Sequence, residues 1–135
     1  MTRKTVMKIG HMAIWARDAE RLRLFYEDYF MAKANKKYCN PTKHFSSYFL
    51  SFDSDVRLEI MQMDSVKESS FDPAGNYFGL AHFAISVGSK EKVIQLTERL
   101  KKDGYPVLDG PRETGDGCFE SAVLDPEGNR LEITV

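Results

Sequence analysis

Two short sequence patterns each occur twice in this chain. Residues 9–14, Ile-Gly-His-Met-Ala-Ile, resemble residues 80–85, Leu-Ala-His-Phe-Ala-Ile, and the Leu-Glu-Ile of residues 58–60 is repeated unchanged at residues 131–133. The two His are separated by 71 positions and the two Glu by 73, so one duplicated unit accounts for both repeats. The chain is therefore predicted to fold as two similar modules, each supplying one His and one Glu.

The repeated residues with useful chemistry are His11, Glu59, His82 and Glu132. Taken singly, a strand His is usually a hydrogen-bonded core residue and a strand Glu is usually a surface residue. Four such residues at matching repeat positions favour metal ligation instead. Two imidazoles and two carboxylates suit a divalent first-row metal and leave positions open for water or substrate. We predict one divalent ion per site, either Ni, Co, Zn or Mn.

Composition limits the classes of protein to which the chain can belong. With 135 residues, 42% of them hydrophobic and 29% charged, the chain suits one ordinary globular domain, residues 1–135. The net charge of -1, with Lys and Arg scattered, gives no reason to expect a nucleic-acid partner. No apolar run approaches the length of a membrane span. Cys39 and Cys118 lack a metal-type spacing, so we expect two reduced thiols in a cytoplasmic protein.

Hydrophobic periodicity predicts the same order of elements in both halves, a strand, a helix and three more strands. In the first module, residues 6–63, a helix capped by Asp18 runs to about Phe30. A turn-rich linker covers residues 64–79. In the second module, residues 80–135, Ser89 caps a helix that Gly104 ends. The predicted strands are residues 7–15, 34–38, 45–52 and 56–63, and then 80–87, 105–108, 118–124 and 130–135.

Alternation along the strands predicts where the Glu side chains point. In both Leu-Glu-Ile strings the aliphatic residues share one face of the strand and the Glu lies on the other. We expect the helix of each module to cover the aliphatic face. The His and Glu would then lie on a concave face, inside a cleft formed if the two sheets curl toward each other. A carboxylate in such a place needs a counter-charge, which a metal ion supplies.

These features resemble the vicinal oxygen chelate superfamily, which includes glyoxalase I and the bleomycin-resistance proteins. The resemblance covers residues 8–135 and rests on the paired modules and the four His and Glu positions. It also rests on Leu24-Phe25-Tyr26 in the first helix and on residues 124–132, Leu-Asp-Pro-Glu-Gly-Asn-Arg-Leu-Glu. It implies an α+β fold of two βαβββ modules, with curved mixed sheets around a metal-binding cleft, and a single domain over residues 1–135.

Within that superfamily the His, Glu, His, Glu pattern is similar to that of glyoxalase I. The similarity implies a metal-dependent lyase or isomerase that acts on a hemithioacetal of methylglyoxal, or a related α-keto substrate, through an enediolate. It implies that Glu132 is the catalytic base, and that Glu59 is chiefly a ligand and a catalytic partner for the opposite face. It further implies a homodimer. Trp15 and Met63 replace the Arg and Asn that help bacterial glyoxalase I to hold glutathione, so the thiol cosubstrate stays open.

Other functions of the same superfamily remain alternatives. A metal-dependent dioxygenase would use iron, although the fourth protein ligand, Glu59, leaves less room for oxygen and substrate together. An epimerase or a thiol transferase is also possible on this fold. A non-enzymatic small-molecule-binding protein is disfavoured because all four ligand positions are kept. The residues that would line an apolar substrate pocket are also open, since each candidate could equally belong to the core: Trp15, Tyr48, Met61, Met63, Tyr77 and Phe78.

Overall fold

A computed structural model describes residues 5–135, which contain nine strands, two α-helices and one short 3-10 helix. The predicted domain, residues 1–135, also includes residues 1–4, which lie outside the described residues. The chain divides into two compact units, one ending at Lys67 and the other starting at Glu68. The first unit contains the first predicted module and the second unit contains the second. The predicted α+β class, with two mixed sheets, is confirmed.

Both units begin with a strand and an α-helix, which four strands follow in the first unit and three strands in the second. In the first unit they are β1 (His11–Trp15), α1 (Ala19–Phe30), β2 (Lys33–Ala34), β3 (Tyr38–Asn40), the 3-10 helix (Pro41–Lys43), β4 (Phe45–Phe52) and β5 (Ser54–Met63). In the second unit they are β6 (Phe83–Ser86), α2 (Lys90–Lys102), β7 (Val107–Glu113), β8 (Phe119–Leu124) and β9 (Arg130–Thr134).

The first sheet has the order β1-β5-β4-β2, with β3 also paired to β4. Strands β1 and β5 are parallel, and β4 and β5 are antiparallel. Helix α1 begins where predicted, because the Asp18 side chain accepts a hydrogen bond from the Arg21 backbone N–H. The helix packs on β4 and β5, and its apolar stripe, which includes Leu22 and Tyr26, forms the core of this unit.

The second sheet has the order β6-β9-β8-β7, with β6 and β9 parallel. Ser89 caps α2 by accepting from the backbone N–H of Lys92, as predicted. Gly104, at φ +95°, ends the helix in the left-handed conformation. Its N–H bonds the carbonyl of Lys101, and the next N–H, of Tyr105, bonds that of Leu100. This pair of bonds is a Schellman motif, so the predicted stop at Gly104 is confirmed.

Part of the predicted linker is an ordered loop of the second unit. The guanidinium of Arg130 donates to the Ala74 and Gly75 carbonyls at 2.9 and 3.2 Å and to Asn76 Oδ1 at 2.9 Å. Across the loop, the Phe71 and Tyr77 rings lie 4.4 Å apart. The segment from Glu68 therefore folds together with the strand that carries Glu132.

Strand boundaries differ from the prediction where pairing is irregular. The predicted strand 34–38 is two short strands, β2 and β3, interrupted near Asn35. There the Asn35 side-chain oxygen, instead of a backbone carbonyl, accepts the hydrogen bond from the Phe49 N–H at 2.9 Å. Strand β7 runs to Glu113 rather than ending at Leu108, because register shifts around Gly110 let it pass a turn-like sequence. Strand β1 begins at His11, where its pairing with β5 starts.

Candidate metal centre

The sheet register places one His and one Glu together in each unit. In the first sheet, Ala13 pairs with Glu59, and His11 lies two positions earlier on the same strand. In the second sheet, Ala84 pairs with Glu132, and His82 lies two positions earlier in the chain, directly before β6. The two units therefore present the same arrangement, a His two residues before an Ala that is paired with the Glu.

The Glu side chains lie on the face opposite the helix, as the alternation predicts. Their aliphatic neighbours Leu58, Ile60, Leu131 and Ile133 are buried, at most 4% exposed, on the side covered by the helices. The side chains of Glu59 and Glu132 are 16% and 24% exposed. A partly buried carboxylate with an imidazole beside it provides two groups that can bind one metal ion.

The geometry of each pair fits two ligands on one metal ion. His11 Nε2 lies 3.5 Å from Glu59 Oε1, and His82 Nε2 lies 2.9 Å from Glu132 Oε1. Ligand atoms about 2.1 Å from a metal are about 3.0 Å apart at a right angle and about 3.4 Å apart at a tetrahedral angle. Imidazole nitrogen and carboxylate oxygen also match the chemistry of nickel, cobalt, zinc and manganese.

The predicted ligands are brought together two by two. Within residues 5–135, no group of three or more His, Cys, Asp or Glu side chains forms a ready metal cluster. Each unit thus offers a His–Glu pair, and joining the pairs into one four-ligand centre remains a prediction. His44 is not part of either pair, since its exposed ring lies 3.7 Å from the Asp64 carboxylate.

One aromatic ring, with a cation stacked on it, lies beside the imidazole of the pair in the first unit. The Phe49 ring meets His11 edge-on, with centroids 5.2 Å apart, and the Arg57 guanidinium lies 4.1 Å from the centre of the same ring. These contacts restrict the orientation of the imidazole from its side. Arg57 is on the same face as Glu59 and two positions before it along β5.

A second carboxyl group accompanies the pair in the second unit. Glu120 pairs with Thr134 in the β8–β9 ladder and lies on the same face as Glu132. Burial raises the pKa of Glu120, and both the charge of Glu132 and a side-chain hydrogen bond with it raise that pKa further. Glu120 therefore holds its proton more readily than an ordinary Glu and can donate it toward Glu132.

The turn before β9 is held by Asp125, which is 3% exposed. Its carboxylate accepts from the backbone N–H groups of Glu127 and Asn129, both at 2.9 Å, and from the Asn129 side-chain amide. Gly128 adopts φ +84° within this turn. The motif of residues 124–132 is thus a tightly bonded turn that sets the start of the strand carrying Glu132.

The residues near the first pair divide between the two faces of the sheet. Trp15 pairs with Met61, and Phe45 pairs with Met63, so these four share the face of Glu59. Tyr48, which the sequence leaves open between a substrate pocket and the core, belongs to the core. It is buried on the opposite face, where its hydroxyl donates to Glu20 of α1.

Sequence reasoning missed several residues that strand pairing places on the same face as a Glu of the site, among them Tyr38, Phe45, Phe49 and Glu120. Their positions depend on which residues pair between strands, and no local sequence pattern indicates that pairing. Alternation within residues 118–124 is the one signal that could have indicated Glu120, since it puts Ser121 and Val123 in the core and Glu120 on the other face.

Several known proteins are similar to this chain in sequence or in structure. A model of the Glyoxalase/Bleomycin resistance protein/Dioxygenase superfamily matches residues 8–133. The chain belongs to this superfamily. The trypanothione-dependent glyoxalase I of Leishmania major is 25% identical, with TM-score 0.74, over 96% of this chain and 86% of that one. A glyoxalase family protein from Enterococcus faecalis is also 25% identical, with TM-score 0.73, over 95% and 97% of the two chains.

A third similar structure is glyoxalase I from Zea mays, at 24% identity and TM-score 0.75, where the match covers 94% of this chain and 44% of that one. At this identity the similarity shows a shared fold alone. No curated protein sequence matches the chain. Among the described residues of this superfamily member, no helix is long and apolar enough to cross a membrane. Cys39 and Cys118 are exposed free thiols.

Proposed function

We propose that this protein is a metal-dependent lyase or isomerase of the glyoxalase I type, acting on a hemithioacetal of methylglyoxal or a related α-keto compound. The observation that supports it is the His–Glu pair that occurs in the same register in both units, at 3.5 and 2.9 Å. Membership of the superfamily and the similarity to a glyoxalase I at 25% identity add support.

In this proposal His11, Glu59, His82 and Glu132 hold one divalent ion, the pairs coming from the two modules of one chain or of two chains. When bound, the ion would supply a Lewis acid for the negative charge that develops on the substrate oxygens. Removing a proton beside a carbonyl needs a base within reach of that carbon. Glu132 takes that part, and Glu59 acts chiefly as a ligand.

Differences between the two carboxylates support this division of roles. Glu132 is the more exposed, 24% against 16% for Glu59, so more of its side chain is accessible to a substrate. Glu120 lies beside it with a raised pKa and can pass a proton to it or hold one. In the first unit the position matching Glu120 is Ser47, which pairs with Met61. Glu59 therefore lacks a comparable carboxyl group at that position.

Metal binding is the first test. The metal content of the purified protein is measured, the metal is removed, and Ni, Co, Zn and Mn are titrated back by calorimetry. His11→Ala and His82→Ala should each weaken binding at least tenfold, because each removes one ligand. His44→Ala is the matched control and should leave affinity unchanged. Full affinity in His82→Ala would disprove the ligand assignment.

Activity is the second test. The metal-loaded protein is given methylglyoxal together with several low-molecular-weight thiols, and isomerised product is measured. Glu132→Gln should lower turnover at least a hundredfold because the base is lost. Glu98→Gln, an exposed carboxylate of α2, is the control. Full turnover in Glu132→Gln would contradict its role, and iron content with oxygen consumption would favour a dioxygenase.

We also propose that the protein is a cytoplasmic homodimer whose partners are a small-molecule substrate and a thiol cosubstrate. Proteins of this fold often pair their modules across a two-fold axis. Light scattering of the metal-loaded protein at micromolar concentration should give twice the mass of one chain. A particle of single-chain mass would exclude a stable dimer.

A further inference from the structure

Three aromatic rings form a row on the face of the first sheet that carries Glu59. The Trp15 and Phe45 rings are edge-on with centroids 6.2 Å apart, and the Phe45 and Tyr38 rings are 6.1 Å apart. Phe45 pairs with Met63 in the ladder, so Met63 lies beside this row. We call these four residues, Tyr38, Trp15, Phe45 and Met63, the aromatic surface.

The aromatic surface adjoins the His11–Glu59 pair. Met61 follows Glu59 by two residues on the same face and pairs directly with Trp15. At about 3.3 Å per residue along a strand, Trp15 lies about 7 Å and Met63 about 13 Å beyond Glu59. A small molecule held by its oxygens at the pair would therefore extend over these rings through only a few bonds.

This surface is accessible and uncharged. Trp15 is 43% exposed and Tyr38 is 54% exposed, so ring area is available for contact. The strand positions of this face beyond Glu59 are all uncharged: Ala13, Trp15, Phe45, Ser47, Met61 and Met63.

Two cations near this surface, Arg57 and Lys37, are engaged elsewhere. Arg57 precedes Glu59 and stacks on Phe49, at the other end of the pair from Trp15. Lys37, next to Tyr38 in sequence, pairs with Glu20 of α1 at 3.2 Å. Because the strand positions of this surface carry no cation, an anionic substrate arm lying on them would lose its hydration without gaining a counter-charge there.

We propose that the aromatic surface binds an uncharged, ring-bearing arm of the substrate, so the cosubstrate is an apolar thiol rather than glutathione. This inference rests on the proposed function and names its substrate class. An aromatic arm would meet the exposed faces of Trp15 and Tyr38, and edge-to-face or offset contact with such rings adds to the gain from apolar burial.

The test uses Trp15, the single Trp of the chain, as a built-in reporter. Its fluorescence is followed while the metal-loaded protein is titrated with the methylglyoxal hemithioacetal of benzyl mercaptan or with that of glutathione. We expect a saturable change with the benzyl adduct and a Kd at least tenfold lower than for the glutathione adduct. Tyr38→Ser, at an exposed position, and Phe45→Ala should raise the benzyl Kd about tenfold and leave metal affinity unchanged. Leu24→Ala, on the opposite side of the unit, is the matched control.

Three outcomes would overturn the inference. The glutathione adduct could bind as tightly as the benzyl adduct, or neither could bind. Alternatively, Trp15 could resist quenching by acrylamide, which would mean that protein covers the surface. Calorimetric metal affinity, measured on the same samples, separates this failure from failure of the proposed function. Tight metal binding with turnover of the glutathione adduct alone would keep the function and remove the aromatic arm.

Discussion

Replacing Glu20 by Gln should destabilise the first unit in a way that depends on pH. Glu20, in the first turn of α1, accepts hydrogen bonds from the Tyr48 hydroxyl and from Arg23 Nη2 at 2.9 Å, and pairs with Lys37 Nζ at 3.2 Å. The hydrogen bond from Tyr48, followed by those from Arg23 and Lys37, lowers the pKa of this carboxyl from 4.5 to about 2. The network joins α1 to β4.

The size of the effect follows from that pKa. A fully buried carboxyl with this change would contribute about 3 kcal/mol to the free energy of unfolding. The Glu20 side chain is 44% exposed, so screening by solvent reduces the expected contribution to about 1 kcal/mol. Because the folded-state pKa is the lower one, the contribution is complete above pH 4.5 and is lost as the pH falls through about 2.

Urea unfolding followed by Trp15 fluorescence measures this contribution, since the only Trp lies in the first unit. The difference between wild type and Glu20→Gln should fall to less than half between about pH 5 and about pH 3. Glu27→Gln is the control, because Glu27 bonds only Arg23 among the residues of this network. Its replacement should lower the free energy of unfolding by a few tenths of a kcal/mol. The reasoning would be refuted if both variants lost the same free energy of unfolding, or if the loss in Glu20→Gln did not change with pH.

The second unit supports three further predictions, of which the first two are measured by thermal unfolding with circular dichroism and the third by limited proteolysis. Asp125→Ala should lower the free energy of unfolding by about 2 kcal/mol, because it leaves partly buried turn N–H groups without an acceptor. It should also weaken metal binding, and unchanged metal affinity would show that the turn does not position Glu132. Thr97→Val should cost about 1–2 kcal/mol because it strands the buried Ser121 hydroxyl, 2.7 Å away, and a double variant with Ser121→Ala should recover part of that loss. Arg130→Met should release the loop at residues 74–76 to limited proteolysis, whereas protection equal to wild type would count against its anchoring role.

Local chemistry made much of the fold predictable. Asp18 and Ser89 start the two helices by accepting a backbone N–H three residues ahead, and Gly104 ends the second in the conformation that glycine adopts without strain. The Leu-Glu-Ile strings gave the two faces of β5 and β9 through the two-residue period of a strand. Each of these signals involves only a few neighbouring residues, so it can be read without knowing which strands pair.

Features that depend on pairing between distant segments were not predictable. The interruption between β2 and β3 arises because Asn35 meets Phe49 on β4, and β7 continues past Gly110 only because β8 accommodates its shifted register. The aromatic surface depends in the same way on Phe45 facing Met63. The candidate ligands could be identified without knowledge of strand pairing, because the His and the Glu each recur at the matching position of the duplicated unit.

The anchoring of the loop by Arg130 also bears on where the boundary between the two units lies. Since the segment from Glu68 folds with the second unit, the boundary lies at Lys67–Glu68 rather than in the middle of the turn-rich stretch. Two separate polypeptides divided there would each keep a complete sheet, a capped helix and one His–Glu pair. The chain is thus suited to division into two half-length peptides, each of which carries its own His–Glu pair.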